Sequence, residues 1–174
     1  MAPQPSFEPA QLLPLQRLTS GHVAGDFDSG SPSLDGWLRH AARRNGEGAV
    51  RAYVVCRDTR VVAFYSLAIG AVFQAGGSGR NRRNPPEPIP VMVLGRLAVD
   101  RRCQGQGLGR TLLRDAVLRT LQAADIAGVR AILVHAKDAP ARDFYERCGF
   151  LRSPIDPLTL LLPLLAARAA LEGP

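Results

Sequence analysis

The chain has 174 residues, 46% of them hydrophobic, and a formal net charge of +7 from 22 basic and 15 acidic residues. This size predicts one domain over residues 1–174 with a substantial core, and the proline-rich start predicts a flexible lead-in over about 1–10. Three scattered cysteines exclude a disulfide framework, no metal-ligand spacing occurs, and no signal peptide or membrane span is evident. We therefore expect a soluble, cytoplasmic, single-domain protein without a metal site.

The first half predicts a strand, a helix and a hairpin. Leu12–Leu18 is predicted to be an edge strand, and a helix begins at Ser31 and continues to about Arg44. Its polar face is expected to turn four residues outward: Arg39, His40, Arg43 and Arg44. Val50–Arg57 and Val61–Phe73 are rich in β-branched and aromatic residues and predict an antiparallel hairpin. Ala75–Pro90 is rich in glycine, proline and arginine and predicts a mobile basic loop.

The second half alternates strands and helices. Strands are predicted at Val91–Val99, Ala131–His135 and Leu158–Leu162, the last one stopped by Pro163. Helices are predicted from Leu108 to about Gly128 and from an Asp138 N-cap to Cys148. The order predicts a mixed α/β (α+β) fold in which helices cover both faces of a mostly antiparallel sheet.

The stretch from Val99 to Arg110 is the most informative in the chain. Its glycines at 105, 107 and 109 allow a tight turn with inward-pointing N–H groups, immediately before a helix N-terminus with partial positive charge. Such a turn suits a diphosphate. No Gly-Lys-Ser/Thr follows, and the glycine spacing is not GxGxxG, so the Walker and dinucleotide motifs are excluded. Taken alone, the turn serves equally well as a plain strand-to-helix connection.

Two sequence elements occur together in the second half of the chain. One is Arg102-x-x-Gly105-x-Gly107, and the other is Asp138-x-x-Ala141-x-x-x-Tyr145-x-x-x-Gly149-Phe150. Their combination resembles the GNAT family of acyl-CoA-dependent N-acyltransferases. The resemblance implies the GNAT fold and acetyl-CoA as the acyl donor. It also implies a set of cofactor-binding residues: Leu97, Ala98, Val99, Arg102, Gln104, Gly105, Gln106, Gly107, Leu108, Gly109, Arg110 and Asp138. The family usually has Asn where this chain has Asp138.

Tyr145 matches the family's tyrosine in register with Gly149-Phe150. A phenol with a pKa near 10 can protonate the CoA thiolate as the thioester breaks, so we expect Tyr145 to be the general acid. The alternative is a core aromatic beside Phe144.

A general base is not evident among the carboxylates. Asp100, Asp115 and Asp143 are expected to be solvated. This absence indicates an acceptor of low basicity, such as an α-amine beside an ester, because a lysine side chain would need deprotonation first. His135 at a strand end is expected to be a buried neutral histidine, with proton transfer as the alternative.

A wider resemblance covers roughly residues 12 to 163. Segments such as Val91–Asp100, Phe144–Arg147 and Ser153–Leu160 are similar to the GNAT toxins of toxin–antitoxin operons. This resemblance implies that the protein acetylates the α-amine of aminoacyl-tRNA, which halts translation. It also implies that a cognate ribbon-helix-helix antitoxin neutralises the protein. Operator DNA would be bound only through the antitoxin complex, and a homodimer is one further implication.

The charge agrees with a tRNA substrate. Arginine carries it almost alone, since Lys137 is the only lysine, and its rigid fork of donors suits phosphate. The candidate tRNA-binding arginines are Arg39, Arg43, Arg44, Arg80, Arg82, Arg83 and Arg96. Two alternatives stay open: a GNAT enzyme acting on a small amine or a protein N-terminus, and a non-catalytic nucleic-acid-binding module that keeps the GNAT shell.

Overall fold

A seven-stranded sheet forms the centre of the protein in a computed structural model that describes residues 12–73 and 87–173. Its strands are β1 (Gln16–Arg17), β2 (Arg51–Arg57), β3 (Arg60–Val72), β4 (Ile89–Val99), β5 (Ala131–His135), β6 (Leu151–Arg152) and β7 (Thr159–Pro163). They lie in the order β1-β2-β3-β4-β5-β7-β6, and only β4 and β5 pair in parallel. This arrangement confirms the predicted mixed, mostly antiparallel sheet.

In the described part of the chain, four helices accompany the sheet: α1 (Pro32–Arg43), α2 (Leu108–Ala127), α3 (Ala139–Arg147) and α4 (Leu164–Leu171). A 3-10 helix over Arg101–Cys103 precedes α2. The predicted ends of two helices are confirmed. Asp138 caps α3 by accepting the Ala141 N–H at 2.8 Å, and Gly128 ends α2 in the left-handed region at φ 65°.

The core has two layers, one on each face of the sheet. Helix α1 packs with Leu18, Phe27 and Phe64 on one face. Helices α2, α3 and α4 pack on the other face. Side chains alternate along each strand, so Val134 and Ala136 of the β5 region enter the α2 layer while His135 points to the α1 face. The expectation of helices on both faces is confirmed.

Three elements of the structure, β1, β6 and α4, differ from the prediction. The edge strand predicted over Leu12–Leu18 is limited to β1 and a single β-bridge between Leu12 and Arg57. Pro163 is the last residue of β7 and also the N-cap of α4, a helix not predicted because the chain there reads as an apolar tract. Proline fits this position because the first helical N–H groups have no helix partner. β6 is too short for a periodic pattern.

Some expectations lie outside the described residues, namely the lead-in over 1–10 and most of the basic loop, including Arg80, Arg82 and Arg83. The loop's last residues belong to β4, which begins at Ile89. Across residues 12–73 and 87–173, no helix is both long and apolar enough to cross a bilayer.

Candidate active site

The parallel strands β4 and β5 separate in the middle of the sheet. Their pairing runs from Val91 opposite Ala131 to Leu94 opposite Val134, and then stops. Gly95 is a bulge, because β3 pairs Leu67 with Leu94 and Ser66 with Arg96. A Cβ on Gly95 would lie 3.3 Å from the Ser66 hydroxyl oxygen, so a side chain would crowd the bulge. Beyond Gly95, the β5-facing edge of β4 has no strand partner among the described residues.

A cavity of about 70 Å³ lies at this separation. Leu97 of β4 and His135 of β5 line it, together with Tyr145 from α3 and Leu34 from α1. Because α1 and α3 lie on opposite faces of the sheet, the cavity is reached by residues of both layers. The separation of β4 and β5 therefore lets side chains from both faces of the sheet line one cavity.

Tyr145 belongs to the α2-side wall and is 6% exposed. Its ring packs against Phe144 and Phe150, with centroids 5.2 Å and 5.5 Å away. Its hydroxyl forms no hydrogen bond with any residue that the structure describes. Burial raises the pKa of the Tyr145 phenol well above its usual value of 10. Tyr145 is therefore a core aromatic and also a neutral hydroxyl at the cavity.

Arg96 forms part of the opposite wall, where its guanidinium lies 4.4 Å above the ring centroid of Trp37. Trp37 in turn stacks on Phe64 at 5.7 Å. Arg96 is half-buried, and burial lowers its pKa. Within the described ranges, its side chain has neither an ion pair nor a hydrogen bond. The cavity thus has an uncompensated cation held in place by an aromatic stack.

The glycine turn lies between the 3-10 helix and α2. Gly105 and Gly107 have φ values of 77° and 82°, the left-handed region that favours glycine. A Cβ on either would meet nothing within 4 Å, so the turn faces open space. In the described part of the chain, none of the amide N–H groups from Gly105 to Arg110 donates a hydrogen bond. Six free donors at the N-terminus of a 20-residue helix fit a diphosphate.

Asp100 anchors this turn, and the expectation that it is solvated is wrong, because it is 1% exposed. Its carboxylate accepts Arg102 Nε at 2.9 Å and a second guanidinium nitrogen at 2.8 Å, and also the Asp28 N–H at 3.2 Å. Arg102 additionally donates to the Asp26 carbonyl oxygen at 3.1 Å. The Gln104 side chain donates to Ser29 O at 3.2 Å and to Val99 O at 2.9 Å. The Arg102 and Gln104 side chains therefore fix the turn.

Ionised Asp100 should stabilise the folded protein, and this contribution should be lost at acidic pH. The Arg102 hydrogen bonds lower the pKa of this carboxyl from 3.8 to about 2. Because the folded-state pKa is depressed, the stabilisation of about 2 kcal/mol is present above about pH 4 and is lost as the pH falls toward 2. We expect Asp100→Asn to lower the free energy of unfolding at pH 7 by about this amount and to flatten the acid limb in urea titrations. The control is Asp143→Asn, which removes a half-buried carboxylate paired with the neighbouring Arg142. Equal acid limbs for wild type and Asp100→Asn would contradict this assignment.

The other predicted residues are distributed as follows. Arg39 does not face outward as expected: it is half-buried and donates to the Phe27 carbonyl oxygen at 3.2 Å. Arg43 and Arg44 are exposed. Arg39 and Arg43 line a surface pocket of about 240 Å³ together with His22. Gly109 lies against Phe144, since a Cβ there would approach the ring to 3.5 Å.

Asp138 uses its side chain to cap α3 and lies 3.6 Å from the Lys137 ammonium group. Cys103, beside the turn, is buried. Among the described residues, no cluster of three or more His, Cys, Asp or Glu could hold a metal ion.

His135 is the functional candidate whose surroundings the sequence did not reveal. The expectation of a buried histidine is wrong, because its side chain is exposed at the cavity. Its Nδ1 lies 2.8 Å from the Thr159 hydroxyl oxygen, and Thr159 donates to Asp156 at 2.8 Å. The only sequence signal for this arrangement was the Asp156-Pro157-x-Thr159 segment. It lies 21 or more residues from His135 along the chain, and the pairing of β5 with β7 brings the two together.

Comparison with known proteins agrees with this geometry. Residues 19–150 match the model of the "Acetyltransferase (GNAT) family". A "tRNA-acetylating toxin" of Mycobacterium tuberculosis (strain ATCC 25618 / H37Rv) is 53% identical over 155 residues, covering 88% of this chain and 93% of the relative.

Two solved structures of the toxin AtaT are also similar, each 28% identical with a TM-score of 0.80. One is AtaT complexed with acetyl-methionyl-tRNAfMet, covering 92% of this chain and 99% of that one. The other is a Tyr-to-Phe mutant bound to the C-terminus of the antitoxin AtaR and acetyl-CoA, covering 94% and 99%. The fold, the glycine turn, the separated strands and these matches establish that the chain belongs to the GNAT acetyltransferase family.

Proposed function

We propose that this protein uses acetyl-CoA to acetylate the α-amine of aminoacyl-tRNA and so inhibits translation as the toxin of a toxin–antitoxin pair. The observation that carries the proposal is the two-sided cavity. On one side lie Tyr145 and the face that carries the glycine turn, and on the other lies the uncompensated Arg96. An anionic donor and an anionic acceptor can therefore approach from opposite faces of the sheet.

The α2 face suits the acyl donor. The free amides from Gly105 to Arg110 would hold the pyrophosphate of acetyl-CoA. The pantetheine arm of acetyl-CoA would lie along the open edge of β4 at Leu97–Val99. When bound, acetyl-CoA supplies an acetyl carbonyl activated as a thioester. Tyr145 would donate its proton to the sulfur as the carbon–sulfur bond breaks. Its raised pKa keeps the proton on the phenol until that moment.

The α1 face suits a nucleic-acid acceptor. Arg96 faces the cavity without an acidic partner among the described residues, and Arg43 and Arg44 are exposed at the end of α1. Arginine forks bind phosphate oxygens in pairs, so this face would hold the phosphates of the acceptor end. The likeness to a tRNA-acetylating toxin and to the AtaT complex with an acetylated aminoacyl-tRNA supports this choice. Arg80, Arg82 and Arg83 remain predictions for the same role.

A protein partner is part of the proposal. AtaT, the similar toxin, has been solved with the C-terminus of its antitoxin AtaR. By this likeness we propose a cognate antitoxin of the ribbon-helix-helix class, which would provide the contact with operator DNA. We also propose that the protein is a homodimer and acts in the cytoplasm, where charged tRNA occurs.

A transfer assay tests the acceptor. The protein is incubated with acetyl-CoA and each charged tRNA in turn, and the nuclease-released aminoacyl-adenosine is examined by mass spectrometry. Free amino acids, polyamines and peptides with free N-termini serve as competing acceptors. We expect N-acetyl-aminoacyl-adenosine from at least one tRNA. Acetylation of a small amine or peptide, with no product from the full tRNA set, would show instead that the protein is an ordinary N-acetyltransferase.

Arg96 should affect the tRNA acceptor selectively. Losing one arginine–phosphate contact is worth roughly 1.4 kcal/mol, so we expect Arg96→Ala to raise the KM for charged tRNA about tenfold and to weaken its salt dependence. The matched control is Arg114→Ala, an exposed arginine of α2 outside the cavity. A KM for charged tRNA that is unchanged in Arg96→Ala would exclude a phosphate contact at this residue.

A further inference from the structure

A hydrogen-bonded chain of three side chains reaches the cavity from the α1 face. The Asp156 carboxylate accepts the Thr159 hydroxyl at 2.8 Å and the Leu158 N–H at 3.0 Å. The Thr159 oxygen lies 2.8 Å from His135 Nδ1. Thr159 faces His135 directly in the β5–β7 register. The geometry therefore links an imidazole at the cavity to a carboxylate behind it.

The chain of bonds determines which ring nitrogen of His135 carries the proton. The Leu158 amide and the Thr159 hydroxyl both lower the pKa of Asp156, so its carboxylate is ionised and can only accept. Thr159 has a single hydroxyl hydrogen, which it donates to Asp156. Its oxygen must then accept from His135 Nδ1–H. In neutral His135 the lone pair is consequently on Nε2, the nitrogen left free to take a proton.

The position of His135 in β5 places its side chain on the α1 face of the sheet, which is the face proposed to bind the acceptor. Its neighbours Val134 and Ala136 enter the α2 layer, so His135 lies on the face of Arg96 and opposite Tyr145. The other charged group beside it in the chain, Lys137, has its ammonium group 3.6 Å from Asp138. His135 and Tyr145 thus line one cavity from its two faces.

We propose that His135 is the general base of the reaction, held by Thr159 and Asp156, and that its Nε2 takes a proton from the α-ammonium group of the acceptor. This inference rests on the proposed function. It also supplies the base that was not evident among the carboxylates. An ester lowers the basicity of the adjacent amine, so an imidazole is strong enough for this task.

Acetyl transfer removes two protons from the acceptor nitrogen. One ammonium proton passes to His135 Nε2, and the amine nitrogen forms a bond to the acetyl carbonyl carbon. The carbon–sulfur bond breaks, and its electron pair leaves with sulfur, which takes the Tyr145 proton. The second proton lost from nitrogen restores the Tyr145 phenol through solvent, and His135 returns its proton to solvent. The products are the N-acetylated acceptor, the CoA thiol and one released proton.

Kinetics of three variants test the proposal. We expect His135→Gln to lower kcat/KM for charged tRNA about 100-fold near neutral pH, with a smaller loss at higher pH, where the amine deprotonates without help. Thr159→Val should lower kcat/KM for charged tRNA by a smaller factor, because His135 loses the hydrogen bond that orients it. Thr159→Ser keeps the hydroxyl, so its kcat/KM should resemble that of wild type. The Kd of acetyl-CoA and the melting temperature should stay unchanged in His135→Gln, since the side chain is exposed.

Nitrogen-15 NMR of the imidazoles gives a second readout that does not depend on the acceptor. His22, His40 and His135 are the three histidines, and the signal missing in His135→Gln identifies the third. We expect neutral His135 to be protonated at Nδ1 in wild type and to lose this preference in Thr159→Val. A proton on Nε2, or a His135→Gln variant with wild-type kcat/KM at every pH, would overturn the proposal. If wild type acetylates no charged tRNA, the proposed acceptor is wrong, while NMR still decides the arrangement of the three side chains.

Discussion

Tyr145→Phe should lower kcat for acetyl transfer by about 100- to 1000-fold, because the CoA thiolate then leaves without a proton donor. The loss should appear in kcat rather than in acetyl-CoA binding. The ring keeps its contacts with Phe144 and Phe150, and the removed hydroxyl has no hydrogen bond to any described residue. Stopped-flow measurement of thiol release, with calorimetry of acetyl-CoA binding, separates the two quantities. In cells, induction of wild type should arrest growth, and induction of the variant should not.

Tyr53→Phe provides the matched control for this loss. It removes a phenol oxygen from a tyrosine that stacks on Tyr65 at 5.2 Å, outside the cavity. We expect wild-type kcat and unchanged growth arrest. A Tyr145→Phe variant that folds and binds acetyl-CoA but retains wild-type kcat would show that the phenol is not the proton donor.

Gly107→Ala should raise the Kd of acetyl-CoA about 100-fold. Its φ of 82° is costly for alanine by roughly 1–2 kcal/mol, so the backbone relaxes and turns the free amides of the turn away from their common target. Each hydrogen bond lost to a charged phosphate is worth about 1.5–3 kcal/mol. Isothermal calorimetry with acetyl-CoA measures the effect, and coenzyme A without the acetyl group should show the same loss.

Gly128→Ala is an unusually close control for this substitution. Gly128 lies at the other end of α2 with φ 65°, and a Cβ there meets nothing within 4 Å, as at Gly107. Both variants should lose similar stability in urea titrations, but only Gly107→Ala should lose acetyl-CoA affinity. Equal Kd values for the two would show that the pyrophosphate is held elsewhere.

The sequence predicted what depends on residues close together in the chain. The glycine turn, the Asp138 cap and the end of α2 at Gly128 follow from residue types at short spacing, and the structure confirms these helix ends and the left-handed glycines. Tyr145 could be named as a candidate because its helix and the following Gly149-Phe150 form one continuous pattern that resembles the family motif.

What the sequence could not predict depends on pairing between distant segments. Asp100 reads as a solvated residue after a strand, but the Asp28 amide and the Arg102 guanidinium close over it. The placement of Arg96 over Trp37 joins β4 to α1. Neither the Asp28 contact with Asp100 nor the stacking of Arg96 on Trp37 has a signature in local spacing, because each joins segments that are distant along the chain. The contact between His135 and Thr159 could not be predicted either, because it depends on the pairing of β5 with β7.

The preferred acceptor distinguishes a tRNA-acetylating enzyme from an ordinary N-acetyltransferase. The decisive measurement is kcat/KM for acetylation of an aminoacyl-tRNA compared with the same amino acid esterified to adenosine alone, at one acetyl-CoA concentration. If the α1 face binds tRNA phosphates and the α2 face binds acetyl-CoA, the intact tRNA should be preferred by at least tenfold, with a preference that shrinks in high salt. Equal values for the two acceptors at every salt concentration would contradict a tRNA-binding acceptor face.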